Sequence, residues 1–334
     1  MLTSVEICAG AGGLALGLEQ AGFAHQLLVD IDPDCCATLR ANRPRWNVRQ
    51  GDARELDGGA WHGVDLLAGG VPCPPFSIAG LRKGSDDERD LFPALIELAA
   101  QIRPKAVLVE NVPGLGEARF SDYLESVCLQ LRLLGYGVQY TVLRAFEHGV
   151  PQLRPRFFLV GMHARYATHF RWPIRAPYPY SVGEVCAEEM GSLGWEGVEQ
   201  WLSLAGAHRA YAPTIVAGSR IHGGPDMGPS RSRERWRNLG FSSKSVADAP
   251  PRPGDPQPPR ITMNMLARIQ AFPPAWQFIG TKTSRWKQIG NAVPLPLAAA
   301  VGKRIALALR APDIDYRGLA DFERGFYDIR QLAA

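Results

Sequence analysis

The chain predicts an α/β fold, an open sheet of parallel order with helices on both faces, joined to a smaller irregular domain. Apolar runs of strand length alternate with stretches of helical periodicity through the first half, the pattern of a parallel sheet. Five of the strand ends are followed by glycine, carboxylate or thiol residues. Between Arg171 and Arg260 the periodicity gives way to proline, glycine and tryptophan, so the core sheet ends there. At 334 residues the chain can bury a large core and still carry a second domain.

Taken in order, Thr3 to Cys8 read as a strand, Ala9-Gly10-Ala11-Gly12-Gly13 as a tight turn and Leu14 to Ala21 as a helix. A second strand, Gln26 to Ile31, carries Asp30, twenty residues beyond Gly10, where a carboxylate in such a unit commonly meets a ribose. The loop lacks the third glycine of a dinucleotide fingerprint and suits a nucleoside cofactor better than NAD. A short strand, Asn47 to Gln50, leads to Asp52. The apolar run Val64 to Ala68 delivers Gly69-Gly70-Val71-Pro72-Cys73-Pro74-Pro75-Phe76-Ser77. Prolines on both sides of Cys73 fix φ and bias the cysteine toward extended geometry, which sets the direction of a nucleophile. A buried cysteine in a proline turn is the plainer reading of that loop taken alone.

The polar run Arg82 to Arg89 reads as a lid or a solvated loop, and Leu91 to Ile102 as a helix. The fifth strand, Ala106 to Val109, ends in Glu110, with Asn111-Val112-Pro113-Gly114 breaking the element. Ligands of open α/β sheets bind beyond the carboxyl ends of the strands, so Gly10, Asp30, Asp52, Cys73 and Glu110 are expected on one edge. Helix Ser121 to Leu134 and strand Val138 to Arg144 follow. Arg154 and Arg156 then enter a strand, Phe157 to Val160, on the same face. Order returns at Thr262 with a helix from Met265 to Phe272 and a final one from Leu297 to Leu309. The expected division is 1–170 for the first domain, 171–260 for the smaller one and 261–334 for a segment that completes the first.

The net charge of +4 is unevenly spread: Arg209 to Arg260 holds nine basic against four acidic residues, a local excess above that of the whole chain. That is the footprint of a nucleic-acid contact, with a solvated loop as the alternative. Cysteines at 8, 35, 36, 73, 128 and 186 form no Cys-x-x-Cys pair, which fits reduced thiols and predicts neither a disulfide framework nor a metal. No apolar run is read as a membrane span and no secretion signal is seen, so a cytoplasmic location is expected.

Six motifs, in order, resemble those of the cytosine-5 DNA methyltransferases: Cys8-Ala9-Gly10-Ala11-Gly12-Gly13, Gly70 to Ser77, Glu110-Asn111-Val112, Gln152-Leu153-Arg154-Pro155-Arg156, Arg268 to Pro273, and Gln288-Ile289-Gly290-Asn291-Ala292-Val293-Pro294. The resemblance implies a Rossmann-like class I methyltransferase sheet and a target-recognition domain over 171–260. It implies transfer of a methyl group from S-adenosylmethionine to carbon 5 of a flipped cytosine in duplex DNA. Cys73 would be the nucleophile, Glu110 the acid, and Arg154 and Arg156 the grip on the base. Cys8, Ala9, Gly10, Gly12, Gly13, Asp30, Ile31, Asp52, Asn291 and Ala292 would hold the cofactor. DNA contacts are expected from Ser77, Arg82, Arg220, His222, Arg231, Arg233 and Arg235.

Two departures stand out. Cys8 replaces a common phenylalanine, and Asn264-Met265 replace a common Arg-Glu pair, which bears on how the smaller domain packs. An amino-methylating enzyme needs Asp, Asn or Ser where Cys73 stands, so the thiol argues against that reading. The roughly ninety residues from Arg171 to Arg260 favour duplex DNA over RNA. A monomer is expected, with a restriction endonuclease acting on the same site as its cellular counterpart.

Overall fold

The structure, a computed structural model, describes residues 1–72, 90–175, 180–217 and 225–311. In the first half, β1 (Leu2–Ile7), α1 (Gly13–Gln20), β2 (Phe23–Asp30), α2 (Pro33–Asn42), β3 (Val48–Gln50) and β4 (Leu66–Gly69) follow the expected alternation. Next come α3 (Phe92–Ile102), β5 (Ala106–Asn111), α4 (Ser121–Leu133), β6 (Tyr136–Arg144) and β7 (Pro155–His163), then the short α5 (Ala164–Ala167). The seven strands form one sheet in the order β3-β2-β1-β4-β5-β7-β6. β1 to β5 pair parallel, which brings their carboxyl ends to one edge. Beyond the parallel order read from the strand–helix alternation, β7 runs antiparallel to β5, with Glu110 opposite Phe158 and Asn111 opposite Phe157.

The alternation of side chains along β1 sorts the two faces. Val5 and Ile7 join Leu67, Val107, Val109, Phe157 and Leu159 in a core closed by Phe92, Leu95 and Leu98 of α3 and by Leu124, Val127 and Leu131 of α4. Ser4 and Glu6 turn to the opposite face. There His25 ties strand to helix: its Nε2 donates to Ala15 O (2.9 Å) in α1, which fixes the tautomer and leaves Nδ1 to accept from Ser4 Oγ (2.9 Å). Burial pushes the His25 pKa down, so the ring serves these bonds uncharged.

The second half holds α6 (Val182–Gly191), α7 (Val198–Ala205), α8 (Ser230–Asn238), β8 (Ser242–Ala247), β9 (Arg260–Thr262), α9 (Met263–Ile269), α10 (Lys282–Asn291) and α11 (Leu295–Arg310). Contacts divide the chain into two compact units. The first takes Met1–Leu143, Pro155–Pro173 and the segment from Ala299, and the second takes Arg144–Arg154 and Ile174–Ala298. By these contacts the chain rejoins the first unit at Ala299. The reason is packing: β9 pairs with β8, Cys186 Sγ of α6 donates to Met265 O of α9 (3.8 Å), and Thr262 Oγ1 bonds Glu189. Met265 is fully buried, so the departure at Asn264-Met265 supplies an apolar side chain to the second unit's core.

The run from Lys282 to Arg310 is long and apolar enough for a membrane span by length and composition alone, but it is broken into α10 and α11, and 78% of its most apolar window is buried within the protein, as in a core helix. Gly302 of α11 sits so close to α1 that a Cβ there would lie 2.9 Å from Leu18 and 3.0 Å from Ala21.

Candidate active site

Each carboxyl end on the parallel edge delivers one chemical group. After β1 the chain turns through Cys8 (φ +54°), Gly10 (φ +55°) and Gly12 (φ +90°), the left-handed region that favours glycine. Asp30, at the end of β2, holds this turn: one carboxylate oxygen accepts from Gly10 N (2.7 Å) and the other from Asp32 N (2.8 Å). Burial raises the Asp30 pKa, and those two N–H donors oppose the rise. Gly10 has nothing within 4 Å of where a Cβ would stand, and the neighbouring Ile31 is 67% exposed although apolar. Open space, backbone N–H groups, a carboxylate and an unburied aliphatic side chain together fit a nucleoside-bearing cofactor.

Cys8 sits below this turn with its thiol pKa pushed up to about 12, first by burial and then by Asp30, Asp52 and Glu6. It is an uncharged wall, not a second nucleophile. Asp52, expected beside the cofactor, caps the turn after β3 by accepting from Arg54 N (2.9 Å), and it is chelated by the Arg54 guanidinium (3.0 Å from Nε), which lowers its pKa.

At the ends of β4 and β5 the site closes up. A Cβ on Gly70 would lie 3.5 Å from Glu110 Oε2, so the start of the cysteine loop rests directly on the carboxylate. Asn111 Nδ2 donates to Val71 O (3.0 Å) and Asn111 Oδ1 accepts from Val112 N (2.8 Å), pinning that loop's first residues to β5. Beyond the loop, Asp90 accepts from Phe92 N (3.0 Å) and from the hydroxyl of Tyr123 on α4 (2.7 Å). Both anchors escaped the sequence reading, although Asn111 lies inside a quoted motif. Cys73, Ser77, Arg82, Arg220 and His222 lie outside the described residues.

Arg156, on β7, approaches Glu110 Oε1 with its Nε at 2.9 Å, and both side chains are only about one-tenth exposed. The contact is an ion pair without the alignment of a hydrogen bond. Arg156 Nη1 donates to Pro155 O (2.7 Å). Burial lowers the Arg156 pKa, and Glu110 raises it in turn. The antiparallel course of β7 is what sets this arginine beside that carboxylate.

Arg154 corrects the expectation of a shared face. Fully buried in the second unit, it donates from Nη1 to Ile215 O and from Nη2 to Gly290 O, both at 2.7 Å. Gln152 accepts from Ile215 N and donates to Gln270 Oε1, both at 3.1 Å, and Gln270 Nε2 donates to Ile289 O (2.7 Å) and Ala292 O (3.3 Å). One buried network thus joins three of the motifs. It leaves Asn291 exposed at the end of α10 and Ala292 buried. Gln152 and Gln270 were missed as a pair because the sequence separates them by more than a hundred residues.

The basic segment centres on α8, which buries Trp236 against Phe241 and exposes Arg231 and Arg233. Arg233 is steadied by Gly228 O (2.9 Å) and Asp226 (3.3 Å), whereas Arg235 turns inward to Tyr211 O (2.9 Å). A further group unforeseen from the sequence is Glu6. It is wholly buried in β1, both its oxygens lack a hydrogen-bond partner among the described residues, and burial and then Asp30 raise its pKa well above the usual carboxylate range.

Residues 2–307 match the family model of the C-5 cytosine-specific DNA methylases. The chain is 48% identical to the Type II methyltransferase M.NaeI of Lentzea aerocolonigenes, over 95% of this chain and 80% of that one. It is 45% identical to the Type II methyltransferase M.NgoMIV of Neisseria gonorrhoeae, over 92% and 98%. The Dnmt2 methyltransferase of S. pombe shares the fold, with a TM-score of 0.62 and 17% identity over 94% of this chain and 100% of that one. A glycine turn after β1 held by Asp30 at the end of β2, a buried Glu110–Arg156 pair beside the start of the cysteine loop, and a match across nearly the whole chain place this protein in the C-5 cytosine-specific DNA methylase family.

Proposed function

We propose that the protein methylates carbon 5 of a cytosine flipped out of a specific duplex DNA sequence, through a covalent bond to Cys73, as the methyltransferase of a restriction-modification system. The observation that carries this reading is the buried Glu110–Arg156 pair against Gly70, three residues before Cys73. Carbon 5 of cytosine is a poor nucleophile. The Cys73 thiolate adds to carbon 6 while Glu110 delivers a proton to ring nitrogen 3, which converts carbon 5 into an enamine carbon. Arg156 holds the Glu110 carboxyl in place, and its Nη2, which has no partner among the described residues, donates to the base's carbonyl oxygen. Loss of the carbon 5 proton after methylation expels the thiolate.

S-adenosylmethionine, when bound, supplies an electrophilic methyl group. Gly10 and Gly12 bring backbone close to it, Asp30 takes the ribose, Ile31 covers the base, Asp52 lies near its amino group, and Ala9, Gly13, Asn291 and Ala292 complete the set. Cys8, being uncharged, adds apolar wall. Arg154 acts as a positioning residue, with Nη1 donating to Ile215 O and Nη2 to Gly290 O. Arg231 and Arg233 on α8 contact the duplex, with Ser77, Arg82, Arg220 and His222 as further contacts.

The test is the product. With methyl-labelled S-adenosylmethionine and plasmid DNA, digestion to nucleosides should return the label in 5-methylcytosine. Label in N4-methylcytosine, or in RNA alone, would reject the proposal.

A further inference from the structure

Arg144 is the last residue of β6, and Ala145 N donates to Arg154 O (3.0 Å), which brings the end of β6 to the start of β7. Three residues on, Glu147 is nearly buried, with 12% of its side chain exposed. Its Oε1 faces two guanidiniums at once: Arg144 Nη1 at 3.9 Å and Arg175 Nε at 3.3 Å. These arginines are 58% and 76% exposed, and among the described residues neither guanidinium has another hydrogen bond or ion pair.

Two exposed guanidiniums converging on one carboxylate repel each other and keep a net positive charge. As surface ion pairs they add little stability. Each spends one nitrogen on Glu147 and keeps its remaining donors for something else, and a guanidinium fork matches phosphate oxygens. Next in the chain, His148 is buried, and its pKa is lowered to about 4 by burial and then by Arg175, so it adds no charge near neutrality. Phe146 stacks on Tyr211 (5.2 Å, 20°), and the Tyr211 carbonyl accepts from Arg235, so the loop is built into the same unit as the basic helix α8.

We propose that Arg144 and Arg175, organised by Glu147, grip one phosphate of the DNA backbone. This deepens the function proposed above and rests on it. The pair fixes where a strand lies and reads no base.

The test measures duplex affinity by fluorescence anisotropy across a salt series, using the full-length protein. Arg144→Gln with Arg175→Gln should weaken binding about tenfold at 0.1 M salt and reduce the slope of log K against log salt by about one unit, the loss of one phosphate. The denaturation midpoint should hold. Glu147→Gln discriminates further, because it raises net charge yet removes the organiser: the proposal requires weaker binding, whereas charge alone requires tighter binding.

Tighter binding by Glu147→Gln, or an unchanged slope in the double variant, overturns the proposal. Inorganic phosphate at constant ionic strength should leave duplex binding by the unsubstituted protein unchanged. Displacement there, absent in the double variant, would assign the pair to a free anion and overturn it too. A protein that binds duplex well but ignores these changes loses the clamp and keeps its function, whereas one that binds no duplex loses the function itself.

Discussion

Arg156→Met removes one partner of an ion pair whose nitrogen and oxygen lie 2.9 Å apart with side chains about 10% exposed. At an effective dielectric of about 20 the attraction is about 6 kcal/mol, much of it offset by the cost of stripping water from both groups. Deleting one partner restores none of that cost, so either Arg156→Met or Glu110→Gln should destabilise the fold by about 3–5 kcal/mol. Removing both leaves no lone charge, and the double variant should recover about 2–3 kcal/mol relative to the sum of the two. Urea unfolding followed by circular dichroism measures all three, and repetition at higher salt should change little because buried charges are weakly screened. Additivity within about 0.5 kcal/mol would refute the reasoning, since it would mean that the two groups do not sense each other.

Glu6 makes a prediction about pH. Its folded pKa is raised, so its contribution is fully present below the ordinary glutamate value of about 4.3 and is lost as pH rises through the raised value. Glu6→Gln should therefore match the parent near pH 4 and gain on it toward pH 8, by up to about 1.4 kcal/mol per pH unit, and parallel stability profiles would contradict this. Gly290→Ala would place a Cβ 2.7 Å from the Val216 backbone and should cost about 1–3 kcal/mol in thermal unfolding; an unshifted midpoint would show that the approach relaxes freely. Arg231→Ala with Arg233→Ala should flatten the salt dependence of duplex binding by about two units, and an unchanged slope would remove α8 from the DNA surface.

The parallel half of the sheet was legible because β1, β2, β4 and β5 are apolar runs that stop at Cys8, Asp30, Gly70 and Glu110, so composition marks both strand and edge. The reversal of β7 was not read from periodicity, which carries no direction. Its signal was length: the ten residues between Arg144 and Pro155 are fewer than a parallel crossover needs. Spacing put Arg154 and Arg156 on one face, but Arg154 precedes the strand, where alternation does not apply, and two backbone carbonyls draw it away. An amphipathic helix does not reveal which core it faces, so periodicity alone does not show that Met265 is buried with Cys186 in the second contact unit. Glu6 gave no signal at all, since a carboxylate within a strand reads as a solvent-facing position until the helix above it is known.

The proposed methylation passes through a bond between Cys73 and carbon 6 of the target base. Fluorine at carbon 5 blocks the final elimination, so the bond persists. With S-adenosylmethionine and a duplex carrying 5-fluorocytosine at its methylated position, the protein should form a denaturant-stable adduct that peptide mapping places on Cys73, and Cys73→Ala should form none. Methylation of the unfluorinated duplex with no adduct on the fluorinated one, or an adduct that survives Cys73→Ala, would contradict the account.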